Sequence, residues 1–283
     1  MHIGVFSYNT EYTMAADELA VACEERGYES LWLPEHTHIP ASRESPFPGG
    51  GELPKEYVHM SDPFIGLAAA AAVTQTLKLG TGISLVTEHD PIVQAKQIAS
   101  LDRLSQGRFL FGIGAGWNKE EMRNHGTPPN RRWTVLTERV EAMQALWTQD
   151  EASYHGEFVN FDRIWSYPKP LTVPHPPILL GSLSSKIALK RVVDLCDGWI
   201  PVAAAVEDLP GSIAKMHEYA ESIGRDPQSI PITCFCTNAP KAHILERFQH
   251  YGAVRTVVRI PTEDRGRVYA FLDEYAPMLQ KFA

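Results

Sequence analysis

Cysteine, positive charge and long apolar runs are all scarce in this chain, and each scarcity removes a class of protein. The four cysteines, Cys23, Cys196, Cys234 and Cys236, are too scattered for a disulfide framework or a four-thiolate zinc site, so reduced thiols are expected. Lys and Arg number 26 against 34 Asp and Glu, a formal charge of −8. That argues against nucleic acid as the main partner, because phosphate neutralisation needs a cationic surface. The longest apolar run, residues 64–73, is rich in alanine and far short of the ~20 residues that span a bilayer. No transmembrane helix is expected. The opening Met1-His2-Ile3-Gly4-Val5-Phe6 has no basic stretch ahead of a long apolar one, so no secretory signal is visible and the expected compartment is the cytosol.

What is present is an ordinary globular composition, 44% hydrophobic and 21% charged over 283 residues. Short runs rich in β-branched and aromatic residues alternate with longer helical patterns from end to end. Strands are predicted at 3–8, 30–33, 77–86, 108–113, 178–180, 199–202, 232–236 and 255–260. Helical patterns follow each of them, with one more near 131–148 between the halves. Eight strand-helix units imply parallel pairing through right-handed crossovers, closing into a single (β/α)8 barrel over residues 1–283. An open doubly wound sheet uses the same alternation with fewer strands, and the strand count favours the barrel. Sites in a barrel lie at the carboxyl ends of the strands. Three of those segments are unusual: the Pro/Gly-rich residues 34–60, of a length suited to a lid, residues 114–130, and a hairpin turning at His155-Gly156.

Several motifs fall on these ends. Gly112-Ile113-Gly114-Ala115-Gly116 follows a strand, but Trp117 breaks the spacing of a dinucleotide-binding loop. Glycines there allow a tight turn or a close ligand. Glu35-His36-Thr37-His38 contains a His-x-His pair, which serves as a metal-ligand spacing in some barrel hydrolases or as a source of a proton donor. No further ligands fall in the usual order. Gly80 and Gly82 sit inside a strand, which marks a bulge or a ligand at the backbone. Gly181-Ser182-Leu183-Ser184-Ser185 precedes a helix and offers either a phosphate seat or ordinary serine capping.

The pattern as a whole resembles the luciferase-like superfamily of flavin and deazaflavin oxidoreductases. The resemblance runs from Leu79-Gly80-Thr81-Gly82-Ile83 through Ala95-Lys96-Gln97 and Leu101-Asp102-Arg103-Leu104-Ser105 to Gly107-Arg108-Phe109 and the 112–117 segment. Pro34-Glu35-His36, Arg132 with Glu138, Pro177-Ile178-Leu179-Leu180-Gly181 and Asp197-Gly198-Trp199 support it. It implies a flavin-like ring at the barrel mouth, a small-molecule substrate and a homodimer. The sequence looks closest to the branch that uses coenzyme F420, a deazaflavin that exchanges a hydride at C5. By that resemblance a cis peptide falls at Gly82-Ile83 behind the ring, with Thr81, Gly114 and Gly116 near the cofactor. Glu35 and His36 face the substrate, and Gly181, Ser182 and Ser184, with Arg132, hold the phosphate. The members that oxidise sugar phosphates carry an acidic residue where Trp117 stands and an aromatic where Pro40 stands, which argues against that substrate.

The expectation is therefore a reductase or dehydrogenase in which F420 carries the hydride and His36, with His38 as runner-up, handles the proton. A monooxygenase using reduced FMN and dioxygen is the alternative. A metal-dependent hydrolase using His36 and His38, and a flavin-binding member without turnover, complete the field. No metal is expected under the first reading.

Overall fold

Proline and acid caps start the helices where the chain leaves its strands. The computed structural model describes residues 1–202, 204–236, 238–262 and 264–282. Asp62 accepts from the Ile65 amide at 2.9 Å ahead of Pro63, and Asp90 accepts from Ile92 and Val93 ahead of Pro91. Caps of this kind satisfy first-turn amides, and proline at the first helical position loses nothing. The resulting elements are β1 (His2–Phe6), α1 (Ala16–Glu25), β2 (Ser30–Leu33), α2 (Pro63–Val73), β3 (Lys78–Thr81), β4 (Ser84–Leu85), α3 (Pro91–Leu104) and β5 (Phe109–Gly114). They continue with α4 (Lys119–Asn124), α5 (Arg132–Thr148), a hairpin of β6 (Ala152–His155) and β7 (Asn160–Ile164), β8 (Ile178–Ser182), α6 (Lys186–Leu195) and β9 (Gly198–Pro201). The last are α7 (Ala204–Glu207), α8 (Leu209–Ser222), β10 (Ile232–Cys236), α9 (Ala242–His250), β11 (Ala253–Arg259) and α10 (Arg265–Phe282).

All pairings in the main sheet are parallel, and it closes: β1 lies between β2 and β11, and β3 returns to β5 through Leu79 with Phe109 and Gly80 with Leu110. This is a (β/α)8 barrel, so the open-sheet alternative is excluded. The third strand differs from its predicted span of 77–86. It breaks after Thr81 at the cis Gly82–Ile83 peptide and resumes as β4. The 114–130 excursion contains the six-residue α4.

Seven strand side chains, Phe6, Trp32, Leu110, Leu179, Ile200, Phe235 and Val257, together with Ile83 from the break between β3 and β4, fill the interior. A larger apolar cluster lies between strands and helices. The interior is therefore packed, and a ligand can enter only at an end. The four cysteines are free thiols, three of them buried. Among the described residues, no helix is long and apolar enough to cross a membrane.

Candidate active site

At the carboxyl ends of the strands lies a cavity of about 380 Å³, within the size range of small-molecule sites. Its floor comes from Gly82, Ile83, Ala115, Gly116, Gly181 and Ser182, and aromatic walls rise from Tyr8, Tyr57, Trp117 and Trp133. Gly114 does not line it. An added Cβ there would stand 1.9 Å from Ile83 Cδ1, and one on Gly181 would stand 3.2 Å from Ile83 Cγ2. The two glycines make a slot that takes the Ile83 side chain and keeps the floor low. Gly116 holds φ at +72°, a conformation natural to glycine, and Trp117 follows it at the mouth.

His36 stands in the cavity wall with its side chain 6% exposed. Trp117 Nε1–H donates to His36 Nε2 at 3.1 Å, and His36 Nδ1 lies 2.6 Å from Glu121 Oε2. An indole nitrogen can only donate, so Nε2 must carry the lone pair and Nδ1 the hydrogen, which it donates to Glu121. Glu121 is fully buried and also accepts from the Thr37 amide at 3.1 Å. In this arrangement His36 Nε2 accepts from the indole and Nδ1 donates to the buried carboxyl group. His38 lies outside the lining, against the Thr37 hydroxyl at 2.9 Å and Asn124 at 2.9 Å. The two histidines bond to different partners, and no cluster of three His, Cys, Asp or Glu with ligand geometry occurs among the described residues.

Three residues expected at the site have their side chains or space committed to neighbours. Glu35 lines the cavity with its carboxylate already engaged: Oε2 accepts from Ser84 Oγ at 2.7 Å and the Leu85 amide at 2.6 Å, and Oε1 meets His89 Nε2 at 2.7 Å. Burial works against its charge, but the His89 and Ser84 bonds prevail and hold the carboxyl below its ordinary value. Glu35 anchors the strand break. Thr81 is fully buried and donates its hydroxyl to the Gly112 carbonyl at 2.7 Å, so it faces the barrel wall rather than a cofactor. Gly114 acts through Ile83.

The expected phosphate residues are divided. Gly181 and Ser182 reach the cavity, and Ser182 accepts from Trp199 Nε1 at 3.0 Å. Ser184 is half-buried on the loop before α6, whose first turn is capped by Ser185 accepting from Ala188 at 3.3 Å. Arg132 is outside the lining. Its Nη1 donates to the Pro129 carbonyl at 3.0 Å, while its buried Nε has no acceptor among the described residues. A glycine-bearing floor between aromatic walls fits a flat ring, and Gly181 and Ser182 ahead of α6 would be the residues to hold an anionic tail. Glu121, Tyr57 and Trp133 are cavity residues or partners that the sequence reading did not assign.

This geometry is a (β/α)8 barrel with an aromatic-walled cavity at the carboxyl ends of its strands and a histidine in the cavity wall. A family model described as luciferase-like monooxygenase matches residues 1–261, and the chain belongs to that family of oxidoreductases. An uncharacterized protein of Mycobacterium tuberculosis is 37% identical over 284 residues, covering 99% of both chains. An FMNH2-dependent dimethylsulfone monooxygenase of Pseudomonas putida is 32% identical over 159 residues, 55% of this chain and 43% of that one. In fold, the chain is similar to an F420-dependent secondary alcohol dehydrogenase in complex with an F420–acetone adduct, with TM-score 0.80, 19% identity and coverage of 100% and 99%.

Proposed function

We propose that the protein transfers a hydride between coenzyme F420 and a small organic substrate, with His36 taking the proton. The observation that carries this reading is the His36 arrangement: a lone pair at the cavity, fixed by Trp117 and backed by Glu121. When bound, the deazaflavin supplies the carbon that accepts or gives the hydride. The protein's part is to hold the ring on the Gly82–Gly181 floor, to place the substrate hydroxyl at His36 Nε2 where it displaces the Trp117 indole N–H, and to accept its proton. Because Nε2 starts without a proton, substrate oxidation is the direction this resting state favours. The F420 branch is supported by the sequence resemblance, and the FMN reading by the dimethylsulfone monooxygenase relative.

Cofactor choice is tested by titrating the purified protein with each cofactor and following fluorescence quenching. F420 should bind at least tenfold more tightly than FMN, about 1.4 kcal/mol. Equal or reversed affinities would overturn the F420 assignment and favour the monooxygenase.

Residues 34–60 are proposed as a lid. Phe47 packs edge-on against Tyr57 and Trp117, and Tyr57 lies 5.4 Å from the His36 ring. These contacts seat the segment on the mouth, where it would exclude water. Deleting part of 46–54 should raise the KM for substrate at least several-fold and leave cofactor affinity unchanged. Loss of cofactor binding with unchanged substrate handling would make the segment part of the cofactor cradle instead.

A further inference from the structure

The indole of Trp117 occupies the one atom of His36 that a substrate hydroxyl would need. Its Nε1–H lies 3.1 Å from His36 Nε2, with the indole edge-on to the imidazole at 72° and the ring centroids 5.6 Å apart. His36 Nδ1 is taken by Glu121 at 2.6 Å, so Nε2 is the ring nitrogen left for a ligand, and the indole covers it. Away from His36 the indole meets the segment 34–60. The Phe47 ring is 6.1 Å from it at 70°, and the Arg43 guanidinium stands 5.9 Å from its centre. Trp117 is thus held between the histidine and the proposed lid.

Its backbone is fixed on both sides. Gly116 before it holds φ at +72°, and Asn118 after it, 1% exposed, caps α4 by accepting from the Glu120 and Glu121 amides at 3.2 Å. The next amide, that of Lys119, donates to Ser45 Oγ of the lid at 3.1 Å. The indole therefore moves only about its own side-chain bonds, the first of which settles in discrete staggered positions. A hydroxyl inserted between the two rings would need Nε1 and Nε2 about 4.5 Å apart, since two hydrogen bonds of about 2.8 Å would meet at its oxygen. Rotation swings the N–H off the line to Nε2 instead of drawing it back along that line. Such a swing runs into Phe47 and Arg43, so the lid has to give.

We propose that Trp117 is a gate for an uncharged alcohol: its indole N–H caps His36 Nε2 in the empty cavity, a substrate hydroxyl displaces it, and the displaced ring shifts Phe47 and Arg43. Occupation of Nε2 and movement of the lid are then one event. Among the described lining residues, Glu35 and His36 are the only acidic or basic side chains, and the Glu35 carboxylate is filled by Ser84, Leu85 and His89. A charged substrate would find no free counter-charge there. Walls of Tyr8, Tyr57 and Trp133 suit an aromatic or aliphatic body. The inference rests on the reading that the substrate hydroxyl comes to His36 Nε2. Trp117 acts through that atom and is a positioning residue. Each binding event gives up one neutral hydrogen bond, which lowers affinity about two- to tenfold.

Benzyl alcohol, with toluene as the same ring lacking the hydroxyl, tests this on the protein alone. In ¹⁵N-labelled wild type without ligand, the Trp117 indole N–H should exchange slowly with water and show a coupling across the hydrogen bond to His36 Nε2. Benzyl alcohol should remove that coupling, speed the exchange at least tenfold, and shift the Phe47 and Arg43 amide signals over the same concentration range. A missing coupling in the free protein, an indole N–H that stays protected with the alcohol present, or Phe47 and Arg43 signals that stay still would each overturn the gate. By calorimetry, Trp117→Phe should bind benzyl alcohol at least threefold more tightly than wild type does, with toluene affinity within twofold. An equal gain for both probes would report only added space, and that result, or no gain for the alcohol, would also overturn the proposal. No cofactor enters either measurement. If FMN proves to be the cofactor, or His36→Ala keeps its turnover, the hydride-transfer reading fails while displacement of the indole stands or falls by itself.

Discussion

Alanine at position 36 is expected to lower turnover by about 10² to 10⁴, the range a general acid or base supplies, with F420 affinity largely unchanged. The proton acceptor disappears, while the floor and the α6 end of the cavity do not touch that side chain. His38→Ala is the control. Its ring is bonded to Thr37 and Asn124 outside the cavity lining, so its turnover should stay within a few-fold of wild type. A deficit confined to His38→Ala would move the proton role to that residue. Full activity in both variants would mean that water or the substrate itself handles the proton. Cofactor affinity is measured on the same samples, because a variant that no longer binds F420 reports on the cavity and not on the proton.

The barrel was legible because its units are local. Each strand and each capped helix is written within about 15 residues, and the parallel order follows from the alternation. The glycines were harder to read. Gly80 invites a ligand by its own sequence, yet an added Cβ there would stand 2.3 Å from the Trp32 ring, and at Gly112 it would stand 2.0 Å from the Thr81 carbonyl oxygen. The demand for glycine comes from the adjacent strand, 48 residues away for Gly80 and 31 for Gly112, so the pattern shows that space is needed without showing what fills it. Only Gly82, Gly116 and Gly181 of the site glycines reach the cavity.

Glu35 and His36 both line the cavity, but the Ser84, Leu85 and His89 groups that occupy the Glu35 carboxylate lie 49 to 54 positions further on, a tertiary contact that no local spacing encodes. Glu121 was hidden by a competing signal. Asn118 caps α4, accepting from Glu120 and Glu121 at 3.2 Å, and Glu121 stands three residues on, where a capping-box acid belongs. Its carboxylate instead leaves the helix for His36, 85 positions earlier in the chain. Trp117 was visible as a departure from the sugar-phosphate pattern. Its role as donor to His36 Nε2 is a tertiary contact that no local spacing encodes.

Gly114→Ala should cost F420 affinity without unfolding the barrel, although the glycine does not line the cavity. The new methyl would sit where Ile83 Cδ1 is, 1.9 Å from it. The slot is closed on the other side by Gly181, so Ile83 has to swing its side chain up through the floor. Overpacking of this kind typically costs about 1–3 kcal/mol of stability. The larger effect falls on the ring that would lie on that floor: F420 affinity should fall at least tenfold, about 1.4 kcal/mol. Ile83→Val removes the Cδ1 atom in the collision. Gly114→Ala combined with Ile83→Val should therefore recover both melting temperature and F420 affinity relative to Gly114→Ala alone, with a coupling above the few tenths of a kcal/mol seen for independent sites. Binding is read by fluorescence titration and stability by thermal unfolding. Additive losses in the double variant, or unchanged affinity in Gly114→Ala, would mean that Ile83 does not set the floor on which the cofactor rests.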